Sequence, residues 1–264
     1  MASSNAAKSA SRREQLRAAR EREAAAARRK RITVVAVAVV VAAVLVAVIA
    51  MAAGGVFGKR SGGSGATSTV VSVRPPHASP GDKGIFSVDN VNDSAPVLTV
   101  VDDFQCPFCH TYETVFGPVF ESLAKKGEIR LEYRTRYFLD INLKNDSSVR
   151  AARAAAIADT FGKYQEYHDT VFSNQPAKEG VGYTDDQLRD AFPQAAGITG
   201  DDLSTFQSSY DKGEMNAFVD AVDRQAQADG YNGTPTFLAN DRKIDMPRKT
   251  NPTEDDVMKL VRGA

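Results

Sequence analysis

Asp103-Phe104-Gln105-Cys106-Pro107-Phe108-Cys109 carries the only two cysteines in a chain of 264 residues. The stretch follows an apolar, strand-like run, Val97-Leu98-Thr99-Val100-Val101, and precedes a helix-like one. A chain that used cysteines for stability would scatter them over its loops. A lone Cys-x-x-Cys points instead to a dithiol that opens and closes as a disulfide. With Cys106 at a helix N-cap, Cys109 falls one turn on and on the same side, so the sulfurs can bond with little backbone movement. The unsatisfied N–H groups and partial positive charge at a helix start favour a thiolate. In such settings a cysteine pKa drops from about 8.5 into the range of roughly 3.5–7.5. The spacing predicts an exposed Cys106 and a shielded Cys109.

Downstream, Val115, Phe116, Val119, Phe120 and Leu123 recur at three- and four-residue spacing, which predicts a helix over 106–126 with one apolar face. Pro118 should kink it, and Lys125-Lys126-Gly127 should end it. Ile129, Leu131, Tyr133 and Tyr137 alternate with Arg130, Glu132, Arg134 and Arg136, the pattern of a strand with one face covered and one in water. Helices are expected over 147–173, from Thr184 to Phe192, and from Asp201 or Asp202 to Gly230, punctuated by Pro193, Gly197 and Gly200. Thr234–Ala239 and Arg242–Asp245 read as strands paired across Asn240-Asp241. Thr253-Glu254-Asp255-Asp256 opens a last helix that buries Val257, Leu260 and Val261. Upstream, Ile85-Phe86-Ser87-Val88 makes one more strand before the turn-rich Asp89–Pro96. The order of elements is that of an α/β domain.

The net charge of zero hides a split. Residues 1–31 hold ten Lys/Arg and three Glu, about +7, which leaves about −7 for the rest. Ile32 to Ala53 is a run of 22 uncharged residues. At 1.5 Å rise per residue it reaches about 33 Å, enough for a hydrocarbon core of about 30 Å. Arg28-Arg29-Lys30-Arg31 abuts its N-terminal end, so residues 1–31 are expected in the cytoplasm and the remainder outside. A cleaved leader is the alternative, but its apolar core spans only about 7–15 residues. The expected organisation is a basic tail (1–31), a transmembrane helix (32–53), a flexible or extended linker (54–83) and a folded domain (84–264). A Cys-x-x-Cys domain outside the membrane works where disulfides persist.

Other chemistry is weakly supported. A structural zinc site needs four ligands, and beyond the cysteine pair the chain has only His77, His110 and His168, of which His110 alone is near in sequence. No metal is therefore expected, although a metal-binding or scaffold module held together by the two thiols is the alternative class. Asp102 and Asp103 are candidates to buffer protons for Cys109, with helix capping or solvated strand-end positions as the plainer roles. No basic patch with interleaved aromatics suggests nucleic acid.

Three segments together resemble the DsbA-like thiol:disulfide oxidoreductases of the thioredoxin superfamily, in the membrane-anchored form of bacterial envelopes. Asp103–Cys109 matches their active-site signature. Lys163-Tyr164-Gln165-Glu166-Tyr167-His168-Asp169 resembles a recurring helical segment of the group, and Gly233-Thr234-Pro235-Thr236-Phe237 its proline loop. The resemblance implies a thioredoxin fold with a helical insertion at about 145–230. It implies Cys106 and Cys109 as catalytic residues around the Pro107-Phe108 dipeptide, and a cis Thr234–Pro235 peptide facing them to bind substrate. Asp103 and His110 are candidate pKa tuners. No cofactor beyond the Cys106–Cys109 disulfide is expected. The implied partners are reduced secreted proteins and a quinone-linked membrane reoxidase of DsbB or VKOR type. One departure stands out: the best-known oxidases have His where this chain has Phe108, which can neither donate a hydrogen bond to a thiolate nor carry charge. An isomerase or reductase of the same fold thus stays open.

Overall fold

The structure, a computed structural model, describes residues 73–87 and 92–264. The basic tail, the apolar span over 32–53 and most of the linker lie outside the described residues, as does Val88. Among the described residues no helix is long and apolar enough to cross a membrane.

One sheet of five strands has the order β1-β3-β2-β4-β5. The strands are β1 (Ile85–Phe86), β2 (Val97–Asp102), β3 (Arg130–Thr135), β4 (Thr236–Ala239) and β5 (Arg242–Ile244). β2 and β3 run parallel and are joined through helix α1 (Pro107–Lys125), while the other pairs are antiparallel. Past Val97 every residue of β2 is buried. A strand covered on both faces is near-continuously apolar rather than alternating; Leu98, Val100 and Val101 fit this, and Thr99 between them is buried with its hydroxyl bonded to Glu132. β4 lies antiparallel to β2 with Thr236 opposite Val101. The loop that enters β4 therefore arrives at the end of β2 from which the cysteines follow. Asn240 and Asp241 both take positive φ, 49° and 62°, the requirement of a two-residue hairpin between β4 and β5.

The insertion between β3 and β4 comprises α2 (Leu139–Leu143), α3 (Ser147–Ala158), α4 (Tyr164–Ser173), a π turn at Gln187–Ala191 running into α5 (Phe192–Ala195), α6 (Gly200–Lys212) and α7 (Asn216–Ala228). These helices occupy the chain from Leu139 to Ala228. The small side chains of Ala151, Ala154, Ala155 and Ala158 are fully buried and let α3 pack closely on α4, α6 and α7. The last helix, α8 (Glu254–Gly263), packs on α1 and β4. It starts with a capping box in which Thr253 Oγ1 accepts from Asp256 N at 3.2 Å and Asp256 Oδ2 accepts from Thr253 N at 2.8 Å. α1 runs as one helix through Pro118. Pro118 and Thr114, one turn back, are both exposed, so the carbonyl that loses its partner is free to bond water.

β3 departs from the half-covered strand that its alternation suggested, and it ends at Thr135 rather than Tyr137. Glu132, Arg134 and Arg136 are as deeply buried as Leu131 and Tyr133, because each charge meets a partner. Thr99 Oγ1 and Arg134 Nε donate to Glu132 Oε2 at 2.7 and 2.9 Å. Arg134 reaches Asp241 at 2.7 Å, and Arg136 Nε donates to Asp223 Oδ1 at 2.6 Å. The domain also begins before Gly84. Val73 and Ala78 pack on the core, Pro75 and Ser79 are buried, and Ala78 bridges to Ile85. The linker expected to reach residue 83 thus joins the fold by Val73. Its prolines shape a turn there, with Ala78 N donating to Pro75 O at 3.1 Å. Gly84 is required at the close approach to β3, since a Cβ there would come within 2.3 Å of Tyr133 O.

Candidate active site

Cys106 is the N-cap of α1, in extended conformation (φ −76°, ψ 117°), and Pro107 fills the first helical position. Proline suits that position because its missing N–H is one of the helix's orphans anyway. Cys109 follows at the third position, one turn inside. Both cysteines are free thiols. Cys109 is sealed, as expected, but Cys106 is only 5 % exposed rather than open to solvent. The Thr234–Pro235 loop stands over it: Cys106 Sγ lies 3.5 Å from Thr234 O, and the Thr234–Pro235 peptide is cis. The exposed residue of the motif is Phe108, at 63 %.

The two thiols are driven apart in acidity. Cys106 is pulled below the usual cysteine range to about 6. The hydrogen bond with the Cys109 side chain contributes most, followed, against burial, by Thr234 and the N–H groups of Cys109 and Phe108. The Thr234 hydroxyl is buried with no hydrogen-bond partner among the described residues. Cys109 is pushed well above the usual range, first by burial, then by Cys106 and the charge of Asp102. One sulfur is thus ready to ionise at neutral pH while the one behind it holds its proton.

A polar scaffold fixes the loop before Cys106. Asp103 and Asp102 are fully buried, so neither sits at a solvated strand end, and the α1 N-cap carries no side-chain cap. Asp103 Oδ1 accepts from Gln105 N at 2.9 Å and Ser148 Oγ at 2.6 Å, and Oδ2 accepts from Leu139 N at 3.3 Å. Burial pushes the Asp103 carboxyl up to about 8 against these donors. Gln105 Nε2 donates to Asp140, Asn145 and Ser148 at 2.8–2.9 Å. Tyr183 Oη and Gln175 Nε2 both donate to Phe104 O at 2.8 Å. Asp102 Oδ2 pairs with His168 Nε2 at 2.9 Å, both fully buried. Against the effect of burial, the carboxylates of Asp102, Asp169 and Glu113 raise His168 to about 10.

His110 Nδ1 bonds Phe172 O at 2.8 Å, which ties α1 to α4. Two grooves flank Phe108. One, of about 320 Å³, runs along Thr111, Tyr112, Val115 and Arg248. The other, of about 340 Å³, runs along Thr234, Pro235, Lys243 and Met246. The sequence pointed to Cys106, Cys109, Phe108 and Thr234–Pro235, which the fold gathers at one place. It did not single out Ser148, Gln175 and Tyr183, which bond the loop before Cys106 from 43 or more residues away. His168 stood within a segment already singled out, but nothing local tied it to Asp102.

A sequence profile described as Thioredoxin matches residues 92–261. A search of curated proteins returned no match. Among solved structures, the chain is similar to the MdbA protein of Actinomyces oris (19 % identity, TM-score 0.57, covering 70 % of this chain and 89 % of that one). It is similar to BdbD of Bacillus subtilis (20 %, 0.55, 73 % and 96 %), and to the MdbA protein of Corynebacterium diphtheriae (20 %, 0.53, 64 % and 88 %). With the profile spanning most of the chain and the Cys-x-x-Cys helix start facing a Thr–Pro loop, this chain belongs to the thioredoxin family.

Proposed function

We propose that the chain is a membrane-anchored thiol:disulfide oxidoreductase that forms disulfides in proteins outside the cytoplasm. The observation that carries this is the acidified Cys106 at a helix start, opposite Thr234–Pro235, with a buried, proton-holding Cys109 one turn behind it. The two MdbA proteins, whose fold the chain shares, are described as thiol-disulfide oxidoreductases, and this supports the reading.

In the oxidised form the two sulfurs share a bond. A substrate thiolate attacks Cys106 Sγ, the Cys106–Cys109 bond breaks, and Cys109 leaves with the electron pair and takes up a proton. A second substrate thiolate attacks the substrate sulfur of the mixed disulfide and expels Cys106 as a thiolate. The substrate has lost two electrons and the enzyme dithiol has gained them. A low Cys106 pKa stabilises the reduced enzyme and makes its disulfide a stronger oxidant, which favours oxidase over reductase or isomerase. The grooves beside Phe108 offer room for an extended substrate segment. The apolar run 32–53 with its flanking basic residues supplies the anchor. A quinone-linked membrane protein of DsbB or VKOR type accepts the two electrons and restores the disulfide.

The test is direct. Oxidised full-length protein is mixed with a reduced, unfolded protein, and free thiols are counted. Substrate thiols should disappear in step with the enzyme disulfide, and Cys109→Ala, first charged as the Cys106–glutathione mixed disulfide, should pass Cys106 to a substrate thiolate as a protein–protein mixed disulfide with release of glutathione thiolate. No thiol loss together with no adduct contradicts the proposal.

A further inference from the structure

Next to the cysteine pair, Glu113 on α1 and His168 and Asp169 on α4 bring a carboxylate oxygen, a ring nitrogen and a second carboxylate oxygen within 4.8 Å of one another. Asp102 occupies His168 Nε2, and His168 Nδ1 lies 3.6 Å from Asp169 Oδ1. That separation is too long for a hydrogen bond. It is close to the roughly 3.3 Å that separates two ligands held about 2.0–2.1 Å from one tetrahedral zinc ion. His168 is fully buried, yet its Nδ1 has no hydrogen-bond partner. A buried polar atom of this kind needs a physical reason.

We propose that Glu113, His168 and Asp169 bind a divalent transition-metal ion of the zinc type, with water from the adjoining cavity as the fourth ligand. The surroundings are those of a metal-binding histidine, whose other ring nitrogen is held by a carboxylate that fixes its orientation. Asp102 does this for His168. Glu113 is aimed by Tyr133 Oη, which donates to its Oε2 at 3.3 Å. Gly117 makes room for that carboxylate, since a Cβ there would stand 3.0 Å from Glu113 Oε2.

The way in runs past Asp169, whose side chain is 45 % exposed. Asp169 borders a cavity of about 230 Å³ together with Gln165, Glu166, Glu121 and Asp159. Gln165 Nε2 holds Asp169 Oδ1 at 2.8 Å, and Gln165 Oε1 is buried without a partner. One imidazole and two carboxylates suit Zn²⁺ and its neighbours better than Ca²⁺ or Mg²⁺, which take oxygen, or Cu⁺, which takes sulfur. An ion on Nδ1 leaves the bond from Nε2 to Asp102 intact.

Full-length protein in detergent, carrying Cys106→Ser and Cys109→Ser so that no thiol competes, is titrated with Zn²⁺ against a chromophoric chelator. One ion per chain should bind. Asp169→Asn and Glu113→Gln should each weaken binding at least about tenfold with the far-ultraviolet circular dichroism unchanged. Co²⁺ at the site should show ligand-field bands without sulfur charge transfer. If Glu113→Gln does not fold, the half-exposed Asp169→Asn decides alone. Absence of stoichiometric binding in the thiol-free protein, or an affinity that the carboxylate variants leave unmoved, overturns the proposal. Neither outcome bears on the redox reaction, which needs the two thiols that the double variant lacks.

Discussion

Cys106 Sγ lies 3.5 Å from the main-chain carbonyl of Thr234, 128 residues further along the chain. The contact follows from the register of two strands. β4 runs antiparallel to β2 with Thr236 opposite Val101, so the residues just before β4 must meet those just after β2. The helix start that acidifies Cys106 and the loop that faces it are both consequences of where the sheet ends.

That acidity predicts a pH profile. Cys106 titrates at about 6, below the roughly 8.5 of an unfolded cysteine. Its alkylation rate by iodoacetamide should climb through pH 6 and level off by about pH 8, while Cys109 stays inert throughout. Because the folded pKa is depressed, the stability it confers on the reduced protein is fully present above about pH 8.5 and lost as pH falls through about 6. Urea melts of the reduced and oxidised forms should diverge in that window, since the disulfide has no thiol to titrate.

Phe108 sets the strength of the oxidant. At the second position of α1 its side chain offers the Cys106 thiolate no donor and no charge beyond the main-chain N–H, and it stands 63 % exposed. Phe108→His should lower the Cys106 pKa by about one unit and make the disulfide about 30 mV more oxidising. Equilibration against glutathione buffers reads the shift.

Ser148 holds the loop before the cysteines. It is fully buried, donates to Asp103 at 2.6 Å and accepts from Gln105 at 2.9 Å. Ser148→Ala takes a donor from the buried Asp103, while the two Gln105 Nε2 hydrogens keep Asp140 and Asn145, and should cost about 1–3 kcal/mol in a urea titration.

Asp223 on α7 neutralises Arg136 just past the end of β3. The arginine is 4 % exposed, and its other polar contact is the Tyr231 carbonyl. Asp223→Ala leaves a buried charge unpaired and should cost about 3–5 kcal/mol, read as a lower urea midpoint.

Features set by local spacing were legible in the sequence. The Cys-x-x-Cys at a helix start, the Thr234–Pro235 entry to a strand, the Asn240-Asp241 hairpin and the Thr253 cap each follow from a few neighbouring residues. Features set by distant partners were not. The charged side of β3 read as a wet face because Asp223 and Asp241 are remote in sequence. Asp102 and Asp103 read as solvated or capping because His168 and Ser148, 66 and 45 residues away, were not known to arrive there. Cys106 read as exposed because an N-cap usually is, and only the fold brings Thr234 over it.

The central claim is that Cys106 and Cys109 form a two-electron couple poised to oxidise other thiols. Its most direct test is the reduction potential of the pair in the full-length protein, measured by thiol alkylation after equilibration in graded glutathione buffers. A single two-electron transition more oxidising than the roughly −270 mV of thioredoxin is predicted, and a value at or below that potential, or no disulfide at any poise, contradicts it.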